Sequence, residues 1–573
     1  MSRVVPFGDG GWLVDVMDVM GVGDVGVAHR VADAIEEAVR DATAPDGVLG
    51  VTIGYGSVVV AVDATVDPGS DPEAWLAGLA GLTGLAGDAA AASDAGVGVG
   101  RSGRRSARTS VVEIPVVFDG DDLDEVAADL GRSIGDVVDL LTGVDLEVAF
   151  LGFAPGFPYL VGLPGPLAGL SRRATPRVSV PAGSVAVAGG YAAVYPRSTP
   201  GGWNLLGRTG MTLFDPQVPP YARLRAGDTV RFRAADVPLT PGDPVAARRP
   251  PLTAEGHRWL RVLDPGLFTL VQDVGRPSLG TVGVPVAGPA DPVAMTLANR
   301  LVGNPDGSAT LEVTARGPSL AFGADLHLAV VGASAGAVDL RVDDRPAPTD
   351  AVVPVRAGQV VTVGAVRSGL RAYVALAGGL QTPQVVGSKS SDVLSGLGTG
   401  PLVIGDHLGV GMPGRPHGLL TSAHDALASG DPIRVLAGPT VFDEAGRELG
   451  ALVASAWEVG ADSNRIGVRL RCTDTLLHPP LAGIPSTGML TGAIQVPPDG
   501  APIVLLPDHA TVGGYPVIAT VITADLGRLG QLRSGDVVHF EQVSSATART
   551  ARIEQERAMT HRIKGWFPTE SGT

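Results

Sequence analysis

Two widely separated stretches of the chain are written to one plan. The first runs VPAGSVAVAGGYAAVYPRSTPGGWNLLGRT from Val180 and closes with AGDTVRF at Phe232. The second runs VPPDGAPIVLLPDHATVGGYPVIATV from Val496 and closes with SGDVVHF at Phe540. Each has a Val-Pro turn, an apolar strand, a Tyr/Leu-Pro step, a polar loop and a Gly-Gly-aromatic step. Each then ends in a Gly-Asp turn that enters an alternating strand. Low complexity would not preserve this order of elements, so the chain carries two related β-rich modules. Repetition on this scale means tandem domains, not a short-period solenoid.

A length of 573 residues suits about four domain-sized units. The 80 glycines and 46 prolines fit many tight turns between strands. The net charge of −16 argues against nucleic-acid or anionic-membrane partners, which require positive fields. No apolar run reaches membrane-spanning length, and MSRVVPFGDGGW lacks a basic region followed by an apolar stretch, so the expectation is a soluble, cytoplasmic chain. Cys472 is the sole cysteine, which excludes an intrachain disulfide and a cysteine-rich zinc site, and no histidine spacing supports a metal site. Lys389 and Lys564 are the only lysines. There is therefore no Gly-x-x-x-x-Gly-Lys loop for a nucleotide, and neither lysine sits in a biotin-acceptor setting, so no covalent biotin is expected.

The fold class expected is mainly β with α+β elements: a small N-terminal α+β domain followed by tandem barrel modules. Residues 1–82 form the small domain, with strands in 4–17 and 47–63 and a helix over 25–40 carrying Val27, Val31 and Ile35 at helical spacing. Residues 83–110, rich in Ala, Gly and Ser, read as a linker whose arginines are a solvated cluster or an anion site. Residues 111–233 form the first module, with two short helices after VVEIPVVFDG. Residues 234–256 are a proline-rich linker, 257–545 a second half with a helix near Pro292–Val302, and 546–573 a helical tail.

GASAG (332–336) has the letters of a nucleophile elbow, but the next residues alternate like a strand, so it reads as a hairpin turn. GVGVGRSG (96–103) opens no helix. LGFAPGFPYL (151–160) places Phe153 and Phe157 at a Pro/Gly turn, either as a rigid turn on its own barrel or as the wall of a small-molecule pocket. Arg177, Trp203 and Arg208 follow on nearby loops and would suit carboxylate or phosphate binding. In the second half, Gln272 and Arg276, Lys389 in VGSKSSD, Asn464 and Arg465 in GADSNRIGVRL, and Asp508 in LLPDHATVGGYP all sit on Gly/Pro-rich loops. They form one shared cleft or cap separate turns.

FGDGGWLV, EIPVVFDG, FLGFAPGFPYL, PRVSVPAGSVAVAG and YPRSTPGGWNLLGRT resemble the KipI family, the B component of prokaryotic 5-oxoprolinase. TLVQDVGR, GPADPVAMTLANRLVGN, LEVTARGPSL, SNRIGVRL and GAIQVPPDGAPIVLLPDHATVGGYPVIATVI resemble the KipA family, the C component. Both families are also called allophanate hydrolase subunits 1 and 2 and resemble the carboxyltransferase region of urea carboxylase. The resemblance covers almost the whole chain in B-then-C order, as in a natural fusion.

That resemblance implies cyclophilin-like β-barrels, one in the first half and two in 257–545. It implies a component that opens 5-oxo-L-proline to L-glutamate with ATP and Mg, together with a separate LamB/YcsF-type A component, and it is compatible with a higher oligomer. The residues assigned are Asp508, Lys389 and Gln272 for catalysis. Arg177, Trp203, Arg208, Arg276, Asn464, Arg465 and Phe153 are assigned to substrate or nucleotide. Where the family often has Gly-Ser-Arg-Ser-Thr, this chain has Lys389, which keeps the charge and loses the planar fork. The alternatives are a biotin-dependent carboxyltransferase component and a KipI-like inhibitor of a histidine kinase.

Overall fold

The computed structural model describes residues 3–15, 26–55, 57–62, 75–76, 79, 111–236, 250, 252–254, 256–334, 336–414, 431–439, 445–472, 477 and 486–563. The expected linker 83–110, most of the expected linker 234–256, and residues 564–573, Lys564 among them, lie outside them.

The N-terminal domain is a four-stranded antiparallel sheet in the order Arg3–Pro6, Gly11–Asp15, Ser57–Val62, Val48–Gly54. Helix Gly26–Arg40 packs on it through Val27, Val31 and Ile35, a four-residue spacing that makes one apolar stripe. The period of two in Ser57–Val62 sends neighbouring valines to different partners. Val58 and Val60 join a core shared with Phe150 and Tyr159, whereas Val59 joins Phe7, Leu13, Met489 and Leu505. The small domain is thus wedged between the two duplicated modules.

Those modules share one cyclic strand order. In the first, the sheet runs Asn204–Arg208, Ser184–Ala188, Tyr191–Val194, Pro158–Val161, Leu146–Leu151, Thr229–Ala234, Val111–Val116. A bridge between Val117 and Arg208 closes it. In the second, the corresponding series is Val517–Val521, Ala493–Gln495, Ile503–Leu505, Gly467–Arg471, Trp457–Val459, Val537–Val538 with Phe540–Gln542, and Ile433–Ala437. In both, the strand after the Gly-Asp turn lies parallel to the module's first strand, pairing Phe232 with Ile114 and Phe540 with Ile433. Closure removes the unpaired edges that a seven-stranded sheet would otherwise expose.

Between them lies a third barrel-like body of a seven-stranded and a five-stranded sheet spanning Trp259–Asp264 to His407–Val410. GASAG joins Leu326–Gly332 to Val338–Val342, which belong to different sheets, so it is a passage between sheets and not the expected hairpin; no helix follows it. Helix Pro292–Leu301 packs on the five-stranded sheet, its start marked by Pro292 and by the Asp291 carboxylate accepting from the Ala294 N–H at 3.0 Å. The closing helix, Ser545–His561, buries Ala548, Ala551 and Met559. No helix among the described residues is long and apolar enough to cross a membrane.

A candidate functional site at the seam between the halves

The signature loops of the two halves meet. Gly156 N–H donates to the Val282 carbonyl at 2.9 Å, and Arg197 Nη1 donates to the Leu394 carbonyl at 2.7 Å. A Cβ at Gly152 would lie 2.2 Å from Val512, so only glycine allows this approach. Val284, Val386 and Leu397 pack into the core of the first barrel, and Val512 into the adjoining aromatic core.

Phe157 is the hub of that aromatic core. Its ring meets Phe153 at 5.2 Å, Tyr159 at 5.2 Å, Tyr195 at 5.1 Å and Trp203 at 5.7 Å, all edge to face. Trp203 is 6% exposed, and Phe153 adopts φ +66°, an uncommon conformation for a bulky residue, at the tip of the turn. Burial pushes the Tyr195 hydroxyl up to about 12 and raises Tyr159 and Tyr191 as well, so all three remain neutral at physiological pH.

The basic loop of the first module does not form one anion pocket. Arg177 Nη2 and Arg173 Nη1 donate to the buried Asp122 Oδ1 at 2.7 and 2.5 Å, while Asp122 Oδ2 accepts from the Leu205 N–H. The hydrogen bond to Asp122 raises the pKa of Arg177, and its Nη1 has no partner. Arg208 pairs with Asp119 at 2.6 Å on the surface.

In the second half, segment 385–400 is laid across Gln272–Arg276. Gln272 Nε2 donates to the Ser391 carbonyl at 2.8 Å. Arg276 donates through Nε to the Val385 carbonyl at 2.9 Å and through Nη2 to the Ser390 carbonyl at 2.5 Å. The Asp273 carboxylate accepts from Ser388 Oγ, from Ser390 Oγ at 2.7 Å and from the Lys389 N–H at 2.7 Å. Lys389 Nζ donates to the Leu380 carbonyl at 2.8 Å, and partial burial lowers its pKa. Asp508 touches the same segment, its Oδ2 accepting from the Val393 N–H at 3.0 Å. Gln272, Arg276, Lys389 and Asp508 are therefore joined through one loop, whereas Asn464 is exposed and uses its Oδ1 to accept from the Ile466 N–H, an Asx turn.

Asp508 is fully buried and bound to Arg465, by Nε to Oδ2 at 3.0 Å and Nη2 to Oδ1 at 2.9 Å. Arg465 also reaches Glu312 Oε1 and the Gly288 carbonyl, tying the last barrel to the middle one. Burial opposes the charge on Glu312, but Arg465 and Arg371 outweigh it and hold the carboxyl below its ordinary value. Asp392 is pushed up to about 6 by burial and by the Asp508 charge. Sequence reasoning assigned no role to Glu312, Asp392 or Arg197. For Glu312 a signal existed, since a carboxylate inside the apolar strand Thr310–Thr314 must find a buried partner.

Where segment 385–400 crosses Gln272–Arg276, two buried atoms have no hydrogen-bond partner: Gln272 Oε1, an acceptor, and Arg276 Nη1, a donor.

Comparison with known proteins places both halves. The family model "Carboxyltransferase domain, subdomain C and D" matches residues 2–224, and "Carboxyltransferase domain, subdomain A and B" matches 282–542. The chain is 38% identical over 309 residues to the C component of 5-oxoprolinase from Escherichia coli (strain K12), covering 52% of this chain and 96% of that protein. The chain belongs to the 5-oxoprolinase B/C family. Its first half is 52% identical over 124 residues to the B component of 5-oxoprolinase from Escherichia coli O157:H7, covering 21% of this chain and 56% of that one. It is also similar throughout to the crystal structure of TTHA0988, at 34% identity and TM-score 0.78, covering 94% of this chain and all of that one. B-like and C-like components are fused here in that order.

The family resemblance implies ATP with Mg, and the cations among the assigned catalytic, substrate and nucleotide residues do not fit phosphate binding. Arg177 is held by Asp122, Arg208 by Asp119, Arg465 by Asp508 and Glu312, and Lys389 and Arg276 by main-chain carbonyls. Among the described residues no group of three or more His, Cys, Asp or Glu side chains could hold a metal ion.

Proposed function

We propose that this chain is the fused B/C component of an ATP-dependent 5-oxoprolinase that opens 5-oxo-L-proline to L-glutamate with a separate LamB/YcsF-type A component in the cytoplasm. The observation that carries this reading is the unpartnered pair at the seam. A lactam presents one N–H donor and one carbonyl acceptor on the same edge, and Gln272 Oε1 with Arg276 Nη1 is its complement. Both residues lie against segment 385–400, which they hold through Gln272 Nε2 and Arg276 Nε and Nη2.

Ring opening breaks the C–N bond, adds the oxygen of water to the carbonyl carbon and delivers a proton to the leaving nitrogen. Lys389, on segment 385–400 and with its proton affinity lowered by partial burial, is the proton donor in this reading. Asp508 acts as a positioning residue, holding Arg465 and the Val393 N–H. In this reading the phosphate-binding groups belong to the A component or its interface, since Arg177, Arg208, Arg276 and Arg465 are held by partners within the chain.

Mixing the chain with its cognate A component should give 5-oxoproline-dependent ADP release with matching glutamate, and the chain alone should give neither. Lys389→Ala should lower coupled turnover by about 100-fold or more, the usual scale of general acid–base assistance. Unchanged turnover in that variant rejects the assignment of Lys389. A second reading, carboxyl transfer, is favoured by the descriptions of both family models. Urea has the same N–H and C=O edge, so ADP release that ignores 5-oxoproline and requires biotin and a urea-like acceptor would decide for it.

A further inference from the structure

A cleft of about 670 Å³ opens where the small domain, the first barrel and the second half come together. Helix Gly26–Arg40 supplies Asp33 and Arg40, the first barrel supplies Glu147 and Arg225, and the second half supplies Thr281. Asp33, Glu36 and Arg40 fall at helical spacing on one face. Thr281 Oγ1 donates to Glu36 Oε1 at 3.2 Å, so the second half closes one wall. His29, 8% exposed, lines the floor: its Nε2 lies 2.6 Å from the Ala149 carbonyl, and Nδ1 lies 3.7 Å from Glu147 Oε1.

The charges of this cleft are held apart. Arg40 and Arg225 both act electrostatically on the Asp33 carboxyl, yet neither guanidinium makes an ion pair or side-chain hydrogen bond among the described residues, and neither does Asp33. Arg225 stands on a turn pinned by its own N–H donating to Asp228 Oδ2 at 2.9 Å, and Arg40 ends a helix packed on the sheet. Long side chains free to collapse onto each other would neutralise themselves. Here Asp33 and Arg40 stand about two turns apart on one helix and Arg225 on a turn of the first barrel, a spread of charge that matches a small molecule with two carboxylates and one ammonium.

We propose that this junction cleft binds an acidic α-amino acid, with Arg40 and Arg225 on its carboxylates and Asp33 on its ammonium. The choice of L-glutamate as the probe rests on the reaction proposed above; the site itself does not. A lactam lacks the ammonium, so the cleft separates product from substrate and would report glutamate to the domain junction.

Isothermal titration calorimetry on the full chain tests this without turnover. L-Glutamate should bind saturably. Glutarate, which lacks the ammonium, and 5-oxo-L-proline should bind about 10-fold more weakly or not at all, the scale of one charge-assisted hydrogen bond. Asp33→Asn and Arg225→Ala should each weaken glutamate about 10-fold with the thermal midpoint unchanged, because both side chains face the cleft and not the core. No heat with glutamate at millimolar concentration, equal binding of glutarate, or binding that survives both substitutions overturns the inference. Because heat of binding is the readout, a failure of 5-oxoproline turnover would reject the proposed reaction and leave the cleft standing.

Discussion

Arg465 and Asp508 face each other fork to carboxylate, with both hydrogen bonds near 3 Å and neither side chain more than 3% exposed. This pair, extended to Glu312, joins the last barrel to the middle one. Its position beside segment 385–400 makes it a support for the seam and not a group open to substrate.

Removing one member should therefore be costly. Asp508→Ala leaves Arg465 with only Glu312 and a carbonyl in a dry environment, and is expected to lower unfolding free energy by about 3–5 kcal/mol. Urea denaturation followed by tryptophan fluorescence measures it. A loss below about 1 kcal/mol, within the range of ordinary surface substitutions, would contradict the structural role.

Asp392 makes a pH prediction. Its folded pKa, about 6, lies above the ordinary carboxylate value, so its stabilising contribution is full below about pH 4 and is lost as pH rises through 6. Asp392→Asn has no such loss. The stability difference between Asn variant and wild type should move in favour of Asn by up to about 3 kcal/mol between pH 4 and pH 7. A difference that stays constant across that range would show that Asp392 titrates normally.

The aromatic hub should be sensitive to truncation. Phe157 is 1% exposed and contacts four other rings, so Phe157→Ala is expected to cost about 3–5 kcal/mol and Phe157→Leu clearly less. Equal stability of the two variants would mean that the site collapses around the lost ring.

Proteolysis probes the fusion. Trypsin should cut within 83–110 and 234–256, which are rich in small residues and proline and carry arginines. After a cut in 234–256 the two halves should still elute together, because Val284, Val386 and Leu397 are built into the core of the first barrel. Separation of the fragments on a sizing column would mean that the covalent link alone holds the seam.

Much of the fold was legible locally. The valines of helix Gly26–Arg40, the Asp-Pro start of Pro292–Leu301 and the Gly-Asp turns before Thr229–Ala234 and Val537–Val538 each carry their own signal. The repeated order of elements announced two related modules, and their strands close in the same cyclic sequence. The GASAG turn misled because a strand-turn-strand pattern does not say whether the two strands share a sheet.

The site was legible as a set of polar loops, not as a set of roles. Asp508 looked as available as Asn464, since both sit on Gly-rich turns. Tertiary packing alone buried the first against Arg465 and left the second exposed as an Asx turn. Periodicity and turn chemistry depend on neighbours within a few residues, so the sequence determined the barrels, their helices and their order by itself. Which carboxylate meets which guanidinium, and which of them loses its water, depends on contacts between residues more than a hundred positions apart, such as Arg465 with Glu312 and Asp273 with Ser390. Desolvation and pairing set the charge state and accessibility of each group, and both exist only once these distant segments have packed together.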